Sequence, residues 1–160
     1  MNNKKLELRM YGLVNYQLTG IQVGIQYTHA IVEYGLKYNN ELFQEWAKNH
    51  KTCIILNGKT TNTNPNRLGE MNKSLQLLID NNIDCATFYE PDLGDQLTAI
   101  VFIVDERVFN NIDYPYYEEL SFDLDDQNTN TQNYKNWVEN IGGEKNAFLK
   151  DFLRGFKLHN

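Results

Sequence analysis

A histidine flanked by amides and a carboxylate is a side-chain set suited to general acid–base chemistry, and one stretch of this 160-residue chain supplies it at helical spacing. In TGIQVGIQYTHAIVEYGLKY, the residues Gln22, Gln26, His29 and Glu33 fall on one narrow helical stripe, with mostly apolar or small residues around it. An ordinary surface helix shows a broad Lys/Glu face instead. The stripe predicts one wall of a pocket, with Gly24 and Gly35 on the opposite side, packed on the sheet; the alternative is an exposed seam with a single histidine. A second candidate is EPDLGDQLT, which places Glu90, Asp92 and Thr98 where one strand ends and the next begins. Ligands of α/β sheets bind at the carboxyl ends of strands, although a solvated acidic turn has the same composition. In the catalytic reading His29 is the general base or acid, and Glu33 or Glu90 orients it. Gln22 and Gln26 position a substrate, and Thr98 or Tyr27 hydrogen-bonds a developing oxyanion.

Other motifs carry less. Asn57-Gly58-Lys59-Thr60 contains a GKT, but Cys53 stands where a phosphate-binding GxxxxGK[ST] loop needs its first glycine. Lys59 and Thr60 then either meet a phosphate from a strand-end loop or lie in a plain surface loop. His50 and His159, at a helix end and near the last residue, read as incidental. The three acids of the EPDLGDQ turn raise a divalent-cation site, ranked below a plain turn, so no metal and no cofactor are expected.

The elements that must position these groups follow from hydrophobic pattern. Leu6–Tyr16 reads as a first strand, and Thr19 as the N-cap of a helix running to about Tyr38. Asn39 or Asn40 opens a second helix, ELFQEWAKNH. KTCIIL reads as a strand buried on both faces. After a polar loop, Leu68, Met71, Leu75 and Leu78 mark an amphipathic helix. DCATFY and LTAIVFIV are the third and fourth strands, joined by the acidic turn. The expected architecture is α/β: a compact mixed four-stranded sheet with helices on both faces over residues 1–109, plus a C-terminal helical extension over 110–160. The extension begins as an acidic, aromatic-rich tether holding Glu118, Glu119, Asp123, Asp125 and Asp126. Two helices separated by Gly142-Gly143 follow it.

Composition bounds the function. The chain has 15 Lys+Arg against 21 Asp+Glu, a formal charge of −6, and its bases are scattered. Extended binding to DNA or long RNA needs clustered cations and is not expected on that ground, whereas a small phosphorylated ligand is compatible. Apolar residues at 41% exclude global disorder. Cys53 and Cys85 read as buried thiols in a reducing compartment. The longest apolar run, 97–104, is too short for a bilayer, so a cytoplasmic protein with no membrane partner is expected.

Element order and two motifs together resemble the type-2 peptidyl-tRNA hydrolase family, in particular its small phage-encoded relatives. That family has a first strand leading into a helix reading roughly G-K-x-A-A-Q-C-x-H-A, and the matching stretch is Gly20 to Ala30, with Gln26 and His29-Ala30 aligned. The likeness continues through Trp46, KTCIIL, LLIDNN and Thr98-Ala99-Ile100, over about residues 7–108. It implies a mixed four-stranded sheet, often a homodimer, and metal-independent hydrolysis of the ester joining a peptide to the 3′ ribose of tRNA. Gln26, His29 and Thr98 match family positions, and Glu90 or Asp92 sits near the family aspartate. The family lysine and cysteine fall on Gln22 and Tyr27. Replacement of that lysine by Gln22 directs the expectation from the tRNA 3′ end toward a smaller nucleotide ligand. For a phage-like chain in a host cytoplasm, a cyclic nucleotide signal of host defence fits, either cleaved or only sequestered.

Overall fold

The computed structural model describes residues 4–120 and 127–160. By contact the chain forms two units: 8–103 with the returning segment 156–160, and 104–155 with the N-terminal lead. The expected division at 109/110 followed composition, whereas the contacts change at the end of the fourth strand.

The first unit is built from β1 (Leu8–Val14), α1 (Ile21–Tyr38), α2 (Glu41–Glu45, running into a π-type turn at Trp46–His50), β2 (Thr52–Asn57), α3 (Glu70–Asp80), β3 (Cys85–Glu90) and β4 (Gln96–Asp105). The strands lie in the order β2-β1-β4-β3. β1 and β2 are parallel, with Arg9 opposite Thr52 and Val14 opposite Asn57. β3 and β4 form an antiparallel hairpin. Asn15 N donates to Thr98 O at 3.0 Å, so β1 ends where β4 begins and β4 alone runs against the others. The crossover β1-α1-β2 moves one way along the sheet and β2-α3-β3 moves the other. Equal right-handedness therefore assigns α1 and α3 to opposite faces.

On the α1 face, Leu8, Met10 and Val14 of β1 meet Ala99, Val101 and Ile103 of β4 beneath Val23, Tyr27, Ala30 and Tyr34. α1 sits close because Gly12 has no side chain: a Cβ there would collide with the Tyr27 ring. The Tyr27 hydroxyl then donates to Met10 O at 2.7 Å, locking helix to strand.

Several expectations need correction. Thr19 does not cap α1; Gly20 holds that position at φ 57° with no side-chain hydrogen bond. Asn40 does cap α2, accepting from Phe43 N at 3.0 Å. β2 is not buried on both faces, and Cys53 is exposed, because β2 is an edge strand and only Leu56 is fully buried. Cys85 is buried as expected. The β2 edge is covered by the chain's own last residues: Asn57 N donates to Lys157 O at 2.8 Å and His159 N to Ile55 O at 3.0 Å, an antiparallel bridge centred on Leu56 and Leu158. At the other edge, Tyr38 Oη bonds both the N–H and the carbonyl of Cys85 at 3.1 Å. Both sheet edges thus have main-chain groups occupied, which blunts edge-to-edge association.

The second unit contains α4 (Glu106–Phe109), α5 (Gln127–Asn140) and α6 (Glu144–Phe152). Within this unit Asp105 accepts from Arg107 N, Nε and Nη2 at 2.8–3.0 Å and from Asn146 Nδ2 at 3.2 Å. Gly142 and Gly143 break α5 from α6 at φ 99° and 111°, conformations closed to side chains. Residues 110–120 are not a free tether. Tyr114 packs on Val138, Ile141 and Ala147, and Trp137 Nε1 donates to Pro115 O at 3.0 Å. The acidic residues Asp123, Asp125 and Asp126 lie outside the described residues. Lys150 is buried, donating to Val108 O and Asn111 Oδ1 with its ammonium over the Tyr116 ring. Among the described residues no helix is long and apolar enough to cross a membrane.

Candidate functional site

The β3–β4 hairpin carries the feature around which the site is built. Phe88 pairs with Ala99 but its neighbour Tyr89 pairs with Leu97, so Thr98 is an extra residue in β4. A bulge of this kind re-aims a side chain. Strict alternation would turn Thr98 away from α1, since Ala99, Val101 and Ile103 already face that helix. Instead its hydroxyl reaches Gln26 Oε1 at 2.6 Å, with Phe88 O a second acceptor at 3.2 Å.

Gln26 relays this contact. Its amide is buried, and Nε2 donates to Glu90 Oε2 at 2.6 Å. Glu90 Oε1 also accepts from Asp92 N at 3.3 Å, so the 3₁₀ turn after β3 caps on the same carboxylate. The Gln26 N–H, the Asp92 N–H and the nearby His29 together hold the Glu90 carboxyl below the usual glutamate range against its partial desolvation. Glu90 is therefore a pre-ionised carboxylate. It suits charge stabilisation or acceptance of a proton, not donation at neutral pH.

His29 lies one turn beyond Gln26, exposed, with its ring tilted at 57° on the Phe88 ring at 4.5 Å between centroids. Phe88 fixes the plane of the imidazole while both ring nitrogens lack a hydrogen-bond partner among the described residues. Beside it, Gly20, Ile21, Gly24, Ile25, Thr28 and His29 line an open, shallow hollow of about 390 Å³.

The Gln/His/Glu stripe divides by depth. Gln22 is exposed one turn before Gln26, and Glu33 is exposed further along, lining a separate hollow with Leu36, Lys37, Ala86 and Thr87. Gly24 faces open space, and Gly35 meets the Phe43 ring of α2 instead of the sheet. The expected packing of both glycines on the sheet fails because the buried arc of α1 is Val23, Gln26, Tyr27, Ala30 and Tyr34. Tyr27 is a core residue whose hydroxyl is committed to Met10 O, and burial pushes its phenol far up. Lys59 is engaged elsewhere, 3.9 Å from Glu70 and over the Phe156 ring. Asp92 contributes its backbone N–H to Glu90, while its side chain is exposed.

No protein-family model matches the chain, and no curated protein matches it at significant similarity.

Sequence reasoning did not single out Asn15, Phe88 or the bulge. Asn15 is buried at the carboxyl end of β1; it donates from N to Thr98 O and from Nδ2 to Thr61 Oγ1 at 3.0 Å. A buried-strand sequence ending in asparagine at a sheet's ligand edge was a usable signal. His159 reaches the same edge, its Nε2 3.0 Å from Asn15 O. Nothing local predicts that, because the contact depends on the C-terminal segment returning to β2.

Proposed function

We propose that this protein is a metal-independent hydrolase of an ester or phosphoester in a nucleotide-containing substrate, using His29 as general base and then acid. The observation that carries the reading is an imidazole packed on Phe88, with no hydrogen bond among the described residues, near a carboxylate kept ionised by a buried amide–hydroxyl relay. In this scheme His29 takes a proton from water as the water attacks the acyl carbon or phosphorus, and returns it to the departing ribose oxygen. Glu90 stays anionic and stabilises the imidazolium, while Gln26 and Thr98 act as positioning residues. Thr98 does not serve as an oxyanion donor here, because its single hydroxyl hydrogen is directed at Gln26.

Support for a relation to type-2 peptidyl-tRNA hydrolases comes from the element order strand, two helices, strand, helix, strand, strand and from the juxtaposition of Gln26 with Thr98. The choice of substrate follows from charge. Gln22, at the position of the family lysine, adds no cation, and Lys59 is paired away from His29. A small nucleotide, with a cyclic dinucleotide as the working case, is favoured over whole tRNA. The test incubates the full chain with peptidyl-tRNA and with a panel of cyclic dinucleotides. Turnover of a cyclic dinucleotide that falls in His29→Ala supports the proposal, and turnover of peptidyl-tRNA alone makes the protein an authentic peptidyl-tRNA hydrolase. A ligand that raises the melting temperature but is recovered intact identifies a sequestering protein. No turnover of either class, with wild type matching His29→Ala, overturns the hydrolase reading.

A further inference from the structure

The direction of the Thr98 side chain follows from its φ and ψ, and these are fixed when the planar peptides on either side of it are held. Both peptides are held by their carbonyls. Leu97 O, on the peptide before Thr98, accepts from Thr61 Oγ1 at 2.6 Å. Thr98 O, on the peptide after it, accepts from Asn15 N at 3.0 Å. The two donor residues are themselves joined, because Asn15 Nδ2 donates to Thr61 Oγ1 at 3.0 Å. Asn15 Oδ1 accepts from Gln17 N at 2.8 Å, which fixes the orientation of the amide and directs its Nδ2 at Thr61. Asn15 is 4% exposed and Thr98 1%, so these bonds form where water competes little. We propose that Asn15 and Thr61 are positioning residues of the candidate site, which together lock the β4 bulge in the conformation that points the Thr98 hydroxyl at Gln26.

The consequence for the site runs through one hydrogen atom. Thr98 gives its only hydroxyl hydrogen to Gln26 Oε1, and this leaves the Nε2 end of the amide to face Glu90. With Thr98 released from the bulge conformation, nothing selects that end, and the amide oxygen can turn toward the carboxylate. Thr61 reaches Leu97 because its neighbours on both sides are tied to the start of α3. Thr60 O accepts from Met71 N at 2.9 Å, and Asn62 O from Gly69 N at 2.8 Å. Gly69 permits this approach, since a Cβ there would lie 2.3 Å from Asn62 N. A loop and a helix that supply none of the proposed reacting groups thus hold the site in register.

The inference rests on Glu90 serving the hydrolase proposed above, but it is read without substrate, so failure of that reading leaves the measurement unaffected. The probe is the Glu90 carboxyl carbon, titrated by NMR in the full chain with His29, whose charge also acts on Glu90, left in place. Thr61→Val keeps the shape of the side chain and removes its hydroxyl. The Glu90 midpoint is expected to rise toward the ordinary glutamate value of 4.5, with unchanged circular dichroism. Thr61→Ser keeps a hydroxyl and is expected to titrate as wild type. Thr98→Val removes the last link directly and is expected to give at least as large a rise, to which Thr61→Val adds nothing further. Thr61→Ala removes the same hydroxyl with less bulk and takes the place of the valine variant if that chain does not fold. A Glu90 midpoint unmoved in a folded Thr61→Val or Thr61→Ala chain overturns the proposal. So does a Thr61→Ser chain that titrates like Thr61→Val, or a Thr61→Val shift that adds in full to that of Thr98→Val.

Discussion

The Gln26 amide does two jobs at once, and its replacement separates them. In Gln26→Leu the buried Thr98 hydroxyl keeps only Phe88 O, and Glu90 loses its strongest hydrogen bond. The lost Gln26–Thr98 contact costs roughly 1 kcal/mol of stability, measurable by urea denaturation. The effect on chemistry is a change in pH profile. Wild-type Glu90 has its carboxyl below the ordinary glutamate value of 4.5, so its ionised form, and the stability it contributes, is fully present above that value and is lost only at more acid pH. Gln26→Leu lets the carboxyl return toward 4.5, and the acid limb of the activity profile moves to higher pH; an unmoved limb removes Glu90 from the mechanism. His29→Ala is expected to lower turnover by about 10²–10⁴-fold with no change in melting temperature, since the ring is exposed. Tyr34 offers a contrasting test, because its hydroxyl is wholly buried, in a cluster with Tyr38 and Phe43, and has no hydrogen-bond partner among the described residues. Tyr34→Phe is expected to be neutral or to stabilise by up to about 1 kcal/mol, since it removes an unsatisfied polar atom.

At the scale of elements, the α1–β1 contact determines where the site can form. Gly12 allows α1 to approach until the Tyr27 ring lies on the strand, and this depth brings Gln26 within reach of Thr98. Gly12→Ala forces the helix outward. We expect a loss of roughly 2–3 kcal/mol in chemical denaturation, together with loss of activity beyond what stability explains. Tyr27→Phe removes only the bond to Met10 O and is expected to cost about 1 kcal/mol while retaining activity. The opposite result, a tolerated Gly12→Ala and an inactive Tyr27→Phe, would return Tyr27 to the substrate-binding role expected from sequence. The bulge in β4 is the second positioning device, because without the extra residue Thr98 would alternate to the other face of the sheet.

For the molecule as a whole, the last five residues complete the edge of the sheet. Truncation after Gly155 removes the Lys157 and His159 main-chain bonds to β2, exposing a parallel-paired edge strand with Cys53 on it. The expected outcome is a lower melting temperature and concentration-dependent aggregation on light scattering. The second unit responds to acid through Asp105. Burial alone would push its carboxyl up, but hydrogen bonds from Arg107 and Asn146 outweigh that and hold it below 3.8. Its contribution is therefore present above about pH 4 and is lost as pH falls through the depressed value.

Periodicity carried the strands, the helices and their order, because apolar spacing reports which side of an element is buried and needs only neighbours in sequence. The histidine, the two glutamines and the strand-end carboxylate were legible for the same reason. Depth was not. Gln22, Gln26, His29 and Glu33 share a stripe, yet only Gln26 is buried, and that depends on where Gly12 seats the helix and on how the bulge turns Thr98. Tyr27 and β2 show the same limit: a polar tip next to the stripe proved to be a core anchor, and an apolar run proved to be an edge strand covered by residues 156–160. Local pattern determined what each element is. Contacts between residues far apart in sequence decided what each side chain meets, because hydrogen-bond reach of about 3 Å depends on strand order and register that no single segment encodes.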